Sequence, residues 1–458
     1  MYWVNSGSEA NDLALRLARE YTKKRGIITV ETAYHGHLTN IIDISPYKYN
    51  RPNGTGKRSY IREAAVPDVY SGKYRGDINE ENITNQYVQD IELLIKDLEY
   101  DEKIENSIRM KHQLLGKSTA DDNNNNILPS SAASVTTTIS DDTTVSSSDS
   151  GTNSPNYPRS TSISLGTHGE IFSSQVHNSI SNSTTTTEYS KEELTYIKNH
   201  LIDDNLQAGC GAFIMESILS CGGQILPPKN YLRQVYQRIR QHGGVCIADE
   251  VQTGFGRSGS HFWAFQLQGD DVIPDIVTIG KPMGNGFPVA AVITTPEIAR
   301  AFADTGIEYF NTYGGNPLAT TAALATLDII EKESLQENAY KIGQIFITEL
   351  NKLMKKINER TQSSSPLCIG SIRGTGLMIG IEFIKNNIIR EPDGDTAIYI
   401  KYEALKRYNI LLSTDGMYDQ VIKIKPPMCF TAENAYTVIQ ALETIMNDII
   451  DQNGIVSK

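Results

Sequence analysis

A lysine stands where a predicted strand enters a glycine-rich loop. Residues 276–279 have the apolar, β-branched pattern of a buried strand, and the run GKPMGNG follows, with Lys281 as its second residue. An amine delivered into apolar surroundings can lose its charge through burial and react as a nucleophile with a carbonyl group. The alternative is a lysine that extends its charged end to the surface. Lys281 is the first candidate catalytic residue.

Two adjacent carboxylates, Asp249 and Glu250, follow the apolar segment 245–248. The carboxyl ends of strands in an open parallel sheet face the ligand crevice. An acid at this place can therefore pair with a cationic ring nitrogen. The alternative is that both acids only cap the turn after the strand.

A run of small residues, Asn5-Ser6-Gly7-Ser8, opens a predicted helix whose apolar residues share one face. Free backbone N–H groups at a helix N-terminus, with little side-chain bulk around them, form a site for a phosphate. Taken alone, the run is better explained as an ordinary serine cap.

A phosphate site, a carboxylate and a lysine are what pyridoxal 5′-phosphate (PLP) needs from a protein. The runs NSGSEAND, AYHGH, IADEVQTGFGRSG, GKPMGNG and NTYGGNP, in this order, resemble the class-III aminotransferases over nearly the whole chain. The resemblance implies PLP as the cofactor and the α/β fold of the PLP-dependent transferases, fold type I. It also implies a homodimer with its active site at the interface.

The resemblance gives a role to each matching position around the cofactor ring. Lys281 would bind the cofactor aldehyde and later move a proton. Asp249 would keep the ring nitrogen protonated, and Gln252 would contact the ring hydroxyl. Tyr34 would stack on the ring face, with His35 beside it.

The cofactor phosphate has its own set of residues in the resemblance. The backbone amides of Gly7 and Ser8 would bind it, and Thr312 of the partner subunit would complete the site. A different motif, Gly254-x-Gly256-x-x-Gly259, formally matches a dinucleotide fingerprint. That fingerprint should open a helix directly after the first strand, whereas this one follows an acidic turn. We interpret it as a glycine-rich loop near the cofactor.

Within the family, several stretches resemble phospho-lyases of ethanolamine phosphate and phosphohydroxylysine, namely HGHLTNIIDISPYKYN, SGKYRGD, SCGGQILPP, HFWAFQLQGDD and IKIKPPMCF. This implies elimination from a phosphorylated amine, with an aldehyde, ammonia and phosphate as products. The alternative is transamination to a keto acid such as pyruvate or glyoxylate, because both reactions use the same cofactor residues. A third possibility is a non-catalytic fragment, since family members carry roughly a hundred further residues before NSGSEAND.

The substrate side offers one discriminating position. In class-III transaminases an arginine three residues before a Pro-Pro pair often binds a carboxylate, and here Lys423 precedes Pro426-Pro427. Lysine binds phosphate as a point charge but lacks the two-pronged fit of arginine to a carboxylate. Lys423 is thus a candidate contact for a substrate phosphate, with an exposed strand face as the alternative for Lys423 and Lys425.

The alternation of short apolar strands and helices predicts how these residues are positioned. It favours an α/β domain with a mainly parallel sheet. From about Ala319 to Leu353 the pattern predicts one long helix, and a smaller α+β domain follows. The predicted organisation is a large PLP-binding domain in two parts, 1–116 and 188–318, with the linking helix and small domain at 319–458.

The segment 117–187 separates the two parts of the large domain. It holds an asparagine run, serine and threonine tracts and few aromatic residues. Such a composition cannot bury enough apolar surface to offset chain entropy, so it predicts a disordered insertion.

The composition limits the other partners. The chain has 458 residues and a formal net charge of −12, and this acidic balance disfavours nucleic acid as its main partner. No apolar run is long enough to predict a membrane span. The five scattered cysteines have no zinc-finger spacing and are typical of reduced thiols in an intracellular protein. A mitochondrial location is implied by the resemblance alone.

Overall fold

The computed structural model describes residues 1–54, 56–76, 79–122, 189–199, 205–361 and 367–452. The chain has two compact units, one made of Met1–Lys103 and Asn205–Lys458, the other of Ile104–Asp204. The first unit contains both β-sheets and the residues to which the sequence assigns chemistry. Among the described helices, none has the length and apolar character needed to cross a membrane.

The larger sheet has seven strands in the order β1-β7-β6-β5-β4-β2-β3. Five adjacent strands are parallel to one another, namely β6, β5, β4, β2 and β3. At one edge, β7 runs antiparallel to β6, and β1 runs antiparallel to β7. This confirms the expected α/β fold with a mainly parallel sheet. The strands are β1 (Tyr2–Val4), β2 (Lys24–Val30), β3 (Ile61–Ala64), β4 (Gln207–Glu216), β5 (Val245–Asp249), β6 (Ile276–Ile279) and β7 (Ala290–Thr294).

Helices cover both faces of this sheet because its strands are apolar on both sides. Ile247 of β5 belongs to a core with the helices α1 and α8, and its neighbour Cys246 to a second core with α4 and α6. The helices are α1 (Gly7–Thr22), α2 (Thr39–Ile42), α3 (Pro46–Tyr49), α4 (Glu80–Asp122), α5 (Lys191–Asn199), α6 (Tyr231–Gln241), α7 (Lys281–Gly284) and α8 (Pro296–Ala303).

The smaller sheet forms the C-terminal part of the first unit and is antiparallel throughout, in the order β10-β11-β9-β8. Its core combines strand residues such as Ile381 with Phe346 and Ile445 from the covering helices. This confirms a smaller α+β C-terminal domain. The elements are α9 (Pro317–Lys332), α10 (Leu335–Arg360), β8 (Ile369–Thr375), β9 (Met378–Phe383), α11 (Gly394–Tyr408), β10 (Ser413–Asp415), β11 (Val421–Ile424) and α12 (Ala432–Asp451).

The prediction of one long helix from Ala319 to Leu353 was wrong. The segment forms α9 and α10, which are separated by Glu333 and Ser334. Ser334 has a left-handed backbone with a φ of 51°, and a helix of L-residues cannot continue through that conformation. The apolar residues on both sides of the break keep a helical spacing, and serine is not a strong indicator of a turn. The sequence pattern therefore did not reveal the break.

The predicted insertion lies largely outside the described residues. Its first residues, 117–122, are the last part of α4, whereas 123–187 fall outside the description. In the second unit, Ile108 packs with Tyr196 and Ile197 in a small buried cluster, and Lys111 forms an ion pair with Glu193. The domain boundaries at 116, 188 and 318 stay predictions.

Candidate active site

A cavity of about 570 Å³ lies at the carboxyl ends of β4, β5 and β6. It brings together residues that are far apart in the sequence: the start of α1, the loop after β2, the turn after β5 and the start of α7. The residues proposed from the sequence that line it are Gly7, Ser8, Tyr34, His35, Asp249, Gln252 and Lys281.

Asp249 is the buried carboxylate of this cavity, with only 3% of its surface exposed. Its Oδ2 atom accepts hydrogen bonds from Asn11 Nδ2 and His35 Nδ1, both at 2.8 Å, and Oδ1 accepts one from the Val251 backbone N–H at 3.0 Å. Because a carboxylate only accepts, His35 carries a proton on Nδ1 in this arrangement. Three donors from three segments hold the carboxylate in one orientation.

Glu250 has a different role from its neighbour, which the strand pattern alone did not separate from it. Its oxygens accept hydrogen bonds from Ser217 Oγ at 2.5 Å and Thr253 Oγ1 at 2.7 Å. They also accept the backbone N–H groups of Ala264 at 3.1 Å and Phe265 at 2.9 Å. Glu250 is thus a buried capping residue. Of these two neighbouring acids, only Asp249 lines the cavity.

The start of α1 forms one end of the cavity. Ser6 caps the helix, with its Oγ accepting from the Glu9 N–H and the Glu9 side chain accepting from Ser6. A Cβ added at Gly7 would lie 2.5 Å from Val251 Cγ1, so no larger residue fits there. A Cβ added at Gly280 would lie 3.1 Å from the same Val251 atom and 3.4 Å from Gly7 N. The helix N-terminus therefore approaches the loop before Lys281 closely and presents backbone rather than side chains.

Lys281 is the first residue of α7 and lines the cavity, but its side chain is exposed rather than buried. The expectation that a strand delivers it into apolar surroundings was therefore wrong. The chain turns into α7 directly after β6, and the cavity opens to solvent at this point. Its accessibility suits an amine that must react with an incoming carbonyl compound.

Tyr34, His35 and Gln252 form the sides of the cavity. The Tyr34 N–H donates to Glu216 Oε1 at 3.0 Å, which fixes the loop that carries the ring. His35 is 2% exposed, and its Nε2 has no hydrogen-bond partner among the described residues. Gln252 Oε1 accepts from Lys425 Nζ at 3.0 Å.

Two proposed residues do not line the cavity of this chain. Thr312 lies on the exposed loop before α9. Its assignment to the phosphate site of a partner subunit stays a prediction. Lys423 of β11 is 19% exposed and forms an ion pair with Asp415 of β10, with 2.7 Å between Nζ and Oδ2.

Sequence reasoning missed two polar residues of the site, Asn11 and Glu216. Asn11 donates to the backbone oxygen of His35 at 2.7 Å as well as to Asp249, and it accepts from Thr278 Oγ1 at 2.7 Å. It lies four residues after Gly7, so helical periodicity puts both on one face. Glu216 ends β4 just as Asp249 ends β5. The strand-end rule that identified Asp249 could have identified Glu216 as well.

The electrostatics of Glu216 follow from its place in the sheet. It is 3% exposed and lies directly opposite Asp249 in the parallel register of β4 and β5. Burial, and then the negative charge of Asp249, raise the pKa of Glu216 to about 7. His35 and the backbone N–H groups of Tyr34 and Ser220 act in the opposite direction.

The glycine-rich run after Asp249 does not open a helix. Residues 251–260 form consecutive turns and bends, in which Gly256 and Gly259 have φ values of 75° and 84°. A Cβ at Gly259 would lie 2.6 Å from the Cα of Tyr340, so this turn packs directly against α10. A dinucleotide-binding role is therefore not supported by the geometry.

The residues of the cavity fit PLP. The backbone at Gly7 and Gly280 leaves a narrow cradle at a helix N-terminus, which suits a phosphate. Asp249 offers a fixed anion for a ring nitrogen, and the Lys281 amine is accessible to an aldehyde. Tyr34 and His35 also line the cavity, and the buried His35 Nε2 has no hydrogen-bond partner in the part of the chain that the structure describes.

Comparisons with known proteins identify relatives over most of the chain. Residues 158–446 match the family described as aminotransferase class-III. The chain is 39% identical to a Drosophila melanogaster protein named alanine–glyoxylate aminotransferase 2-like, over 95% of this chain and 65% of that protein. It is 36% identical to ethanolamine-phosphate phospho-lyase homolog 1 of Caenorhabditis elegans, over 97% of this chain and 72% of that protein. The chain thus spans about two thirds of the length of these relatives.

A solved structure has the same fold. It is a phospholyase from Arthrobacter in complex with phosphoethanolamine, which superposes with a TM-score of 0.65 at 25% sequence identity. The match covers 97% of this chain and 76% of that one. The similarity therefore includes both the larger and the smaller sheet.

The raised pKa of Glu216 predicts a pH-dependent stability that a Glu216→Gln variant lacks. In the folded chain the pKa of the Glu216 carboxyl group is about 7, compared with an ordinary value of 4.5. Its contribution to stability is therefore complete below about pH 4.5 and is lost as the pH rises through 7. Relative to Glu216→Gln, the wild type should lose about 2 kcal/mol of unfolding free energy between roughly pH 5 and pH 8.

Urea unfolding of both proteins at the two pH values measures this difference. The exposed Glu333→Gln variant is the control and should keep a constant difference from the wild type. A constant difference for Glu216→Gln as well would contradict the assignment.

Proposed function

Because this chain belongs to the class-III aminotransferases, a PLP-dependent family, we propose that it is a phospho-lyase of amino-alkyl phosphates. Phosphoethanolamine and phosphohydroxylysine are the proposed substrates. The observation that carries the proposal is the lysine pair at the end of β11: Lys423 occupies the position where the family resemblance leads one to expect an arginine, and Lys425, directly after the strand, contacts the cavity residue Gln252. The names of the Caenorhabditis and Arthrobacter relatives support the same reaction.

The cavity residues have separate tasks in this proposal. When bound, PLP supplies an electrophilic aldehyde and a ring that spreads the electrons of a carbanion. The amine of Lys281 binds that aldehyde. Asp249 holds a proton on the ring nitrogen and is itself kept in place by Asn11 and His35. The first N–H groups of α1, at Gly7 and Ser8, bind the cofactor phosphate.

The elimination needs one base and one anion site. Lys281 takes the proton from the substrate carbon that bears the nitrogen, and the C–O bond to phosphate on the neighbouring carbon then breaks. With one water consumed, the products are an aldehyde, ammonia and inorganic phosphate. Tyr34 covers one side of the reacting groups and Gln252 contacts the ring hydroxyl, while a cation at the end of β11 receives the phosphate.

Transamination is the second candidate, supported by the name of the Drosophila relative. It uses the same lysine and aspartate and differs in where the proton returns, so the cofactor-binding residues suit both reactions. The third possibility is a non-catalytic chain that still binds the cofactor. A mitochondrial location stays a prediction from the resemblance.

A homodimer is part of the proposal, and an exposed apolar surface on this chain supports it. Phe310 and Tyr313, on either side of Thr312, are 78% and 70% exposed, and Leu318 and Leu324 of α9 are 64% and 59% exposed. Exposed large apolar side chains of this kind are typical of a subunit interface. Covered by a second copy, it would bring Thr312 of the partner subunit towards the cofactor phosphate.

The Lys281→Ala variant should lose the covalent link to the cofactor. The wild-type holoenzyme should give a borohydride-reducible PLP adduct that mass spectrometry locates on Lys281, because this is the accessible amine of the cavity. Lys406→Ala, which removes an exposed lysine of α11, is the control and should keep the adduct. A reducible adduct of equal yield in Lys281→Ala would disprove the assignment.

Phosphate release without a keto acid distinguishes the candidate reactions. The wild-type holoenzyme should convert phosphoethanolamine or phosphohydroxylysine to equal amounts of phosphate and aldehyde, because elimination needs no amino acceptor. Ethanolamine, which lacks the phosphate, is the matched control and should give no aldehyde. Turnover that depends on pyruvate or glyoxylate and releases no phosphate would instead indicate a transaminase. Cofactor binding without any turnover would indicate a non-catalytic chain.

Phe310→Asp combined with Leu324→Asp should separate the subunits. Charges in the centre of an apolar interface are strongly unfavourable, so sedimentation velocity should show a dimer for the wild type and a monomer for the variant. Loss of bound PLP on gel filtration should accompany the change. Leu93→Asp alters a residue of α4 that is 62% exposed and should leave the dimer intact. A wild-type monomer that retains PLP would rule out the shared site.

A further inference from the structure

The strand β11 presents its side chains to two faces. Ile422 and Ile424 belong to the core beneath the smaller sheet. By the alternation of a strand, Lys423 and the next residue of that face, Lys425, lie on the opposite side. Val421 begins this second face and packs against the loop that follows β4, since a Cβ at Gly223 would lie 2.9 Å from its Cγ2.

The two lysines of this face have different partners. Lys423 is neutralised by Asp415, at 2.7 Å, and Gln224 Nε2 donates to the same carboxylate oxygen at 3.0 Å. Lys425 Nζ donates to the side-chain oxygen of Gln252 at 3.0 Å, and Gln252 lines the cofactor cavity. This contact uses one of the three N–H donors of the ammonium group and one neutral acceptor. Lys425 therefore places its amine against the cavity wall without forming an ion pair among the described residues.

The surroundings of Lys425 are positively charged. Burial, and then the charges of Arg257, Lys281 and Lys423, lower the pKa of Lys425 to about 7, although Glu216 opposes this effect. A bound anion would counteract the effect of these positive charges on the Lys425 amine.

Arg257 adds a second cation without a carboxylate partner. Its Nη1 donates to the backbone oxygens of Pro426 at 2.8 Å and Leu377 at 3.3 Å. Burial lowers the pKa of Arg257 to about 10. No ion pair formed within the described ranges involves Lys425, Arg257 or Lys281, whereas Lys423 has one. An anion bound beside the cavity would therefore supply these cations with a partner of opposite charge.

We infer that Lys425, rather than Lys423, binds the phosphate group of the substrate, with Arg257 supplying a second positive charge behind it. The inference rests on the proposed phospho-lyase function and names the residue that selects a phosphorylated amine. Lys423 has a structural task instead, in which it joins β11 to β10 through Asp415.

Inorganic phosphate is the probe, because its binding is measured without turnover. Isothermal titration calorimetry in a phosphate-free buffer, with PLP already occupying its own site in the holoenzyme, should show one saturable site per chain. Lys425→Met should weaken this binding about 10- to 100-fold, as expected for a lost charge-assisted hydrogen bond. Lys423→Met, the matched control two residues earlier, should change it about threefold or less.

Lys425→Arg retains the charge and should restore most of the affinity. Bound PLP per chain and the far-ultraviolet circular dichroism spectrum verify that each variant is folded and loaded. The inference is overturned if the wild-type holoenzyme shows no saturable phosphate site, or if Lys423→Met is weakened as much as Lys425→Met. It is also overturned if Lys425→Met changes only PLP affinity, which would mean that Lys425 merely positions Gln252.

The kinetic comparison tests the inference separately from the proposed function. If the wild type releases phosphate from phosphoethanolamine, Lys425→Met should raise KM about tenfold or more while the borohydride-reducible adduct persists. If the wild type releases none, the phospho-lyase proposal fails. The comparison of phosphate affinities still decides whether Lys425 is an anion-binding residue.

Discussion

The cofactor end of the cavity depends on how the buried carboxylate of Asp249 is satisfied. A charge that is 3% exposed must receive hydrogen bonds from the protein, since water does not reach it. Here the donors are Asn11, His35 and the backbone of Val251, and each belongs to a different segment. The carboxylate therefore determines how α1, the loop after β2 and the turn after β5 approach one another. The same segments carry other cavity residues. The hydrogen bonds that orient Asp249 therefore also fix the N-terminus of α1 and the loop that carries Tyr34.

The register of the larger sheet then decides the surroundings of each acid. Asp249 and Glu250 are successive residues at a strand end, so one faces the cavity and the other the interior, where four donors surround it. Parallel pairing also puts Glu216 opposite Asp249, and the repulsion adds to burial in raising the pKa of Glu216. The acids Glu216 and Asp249 thus line the cavity at the ends of β4 and β5, whereas Lys425 directly follows β11, on the side where we propose that a substrate phosphate binds.

Much of this arrangement could be predicted from the sequence, because strand ends and helix starts are local patterns. The positions of Lys281 and Asp249 and the mainly parallel sheet follow from such patterns. What could not be predicted depends on contacts that are distant in the sequence. Ser334 interrupts a helical pattern through a left-handed backbone that its residue type does not announce. The exposure of Lys281 depends on where the cavity opens, and the difference between Asp249 and Glu250 depends on donors up to fifteen residues away.

Lys423 in β11 and Lys425 directly after it show the same limit of sequence-based prediction at the substrate side. Strand periodicity puts Lys423 and Lys425 on one face, and nothing in their own segment distinguishes them. The distinction comes from β10, whose antiparallel pairing with β11 brings Asp415 close enough to bond the Lys423 amine at 2.7 Å. One step further along, the strand has left its partner, and the next amine reaches Gln252 instead. A family resemblance that aligns residues by position therefore identifies the strand that carries the cation. The hydrogen-bond partners of each amine decide which cation is free to bind an anion.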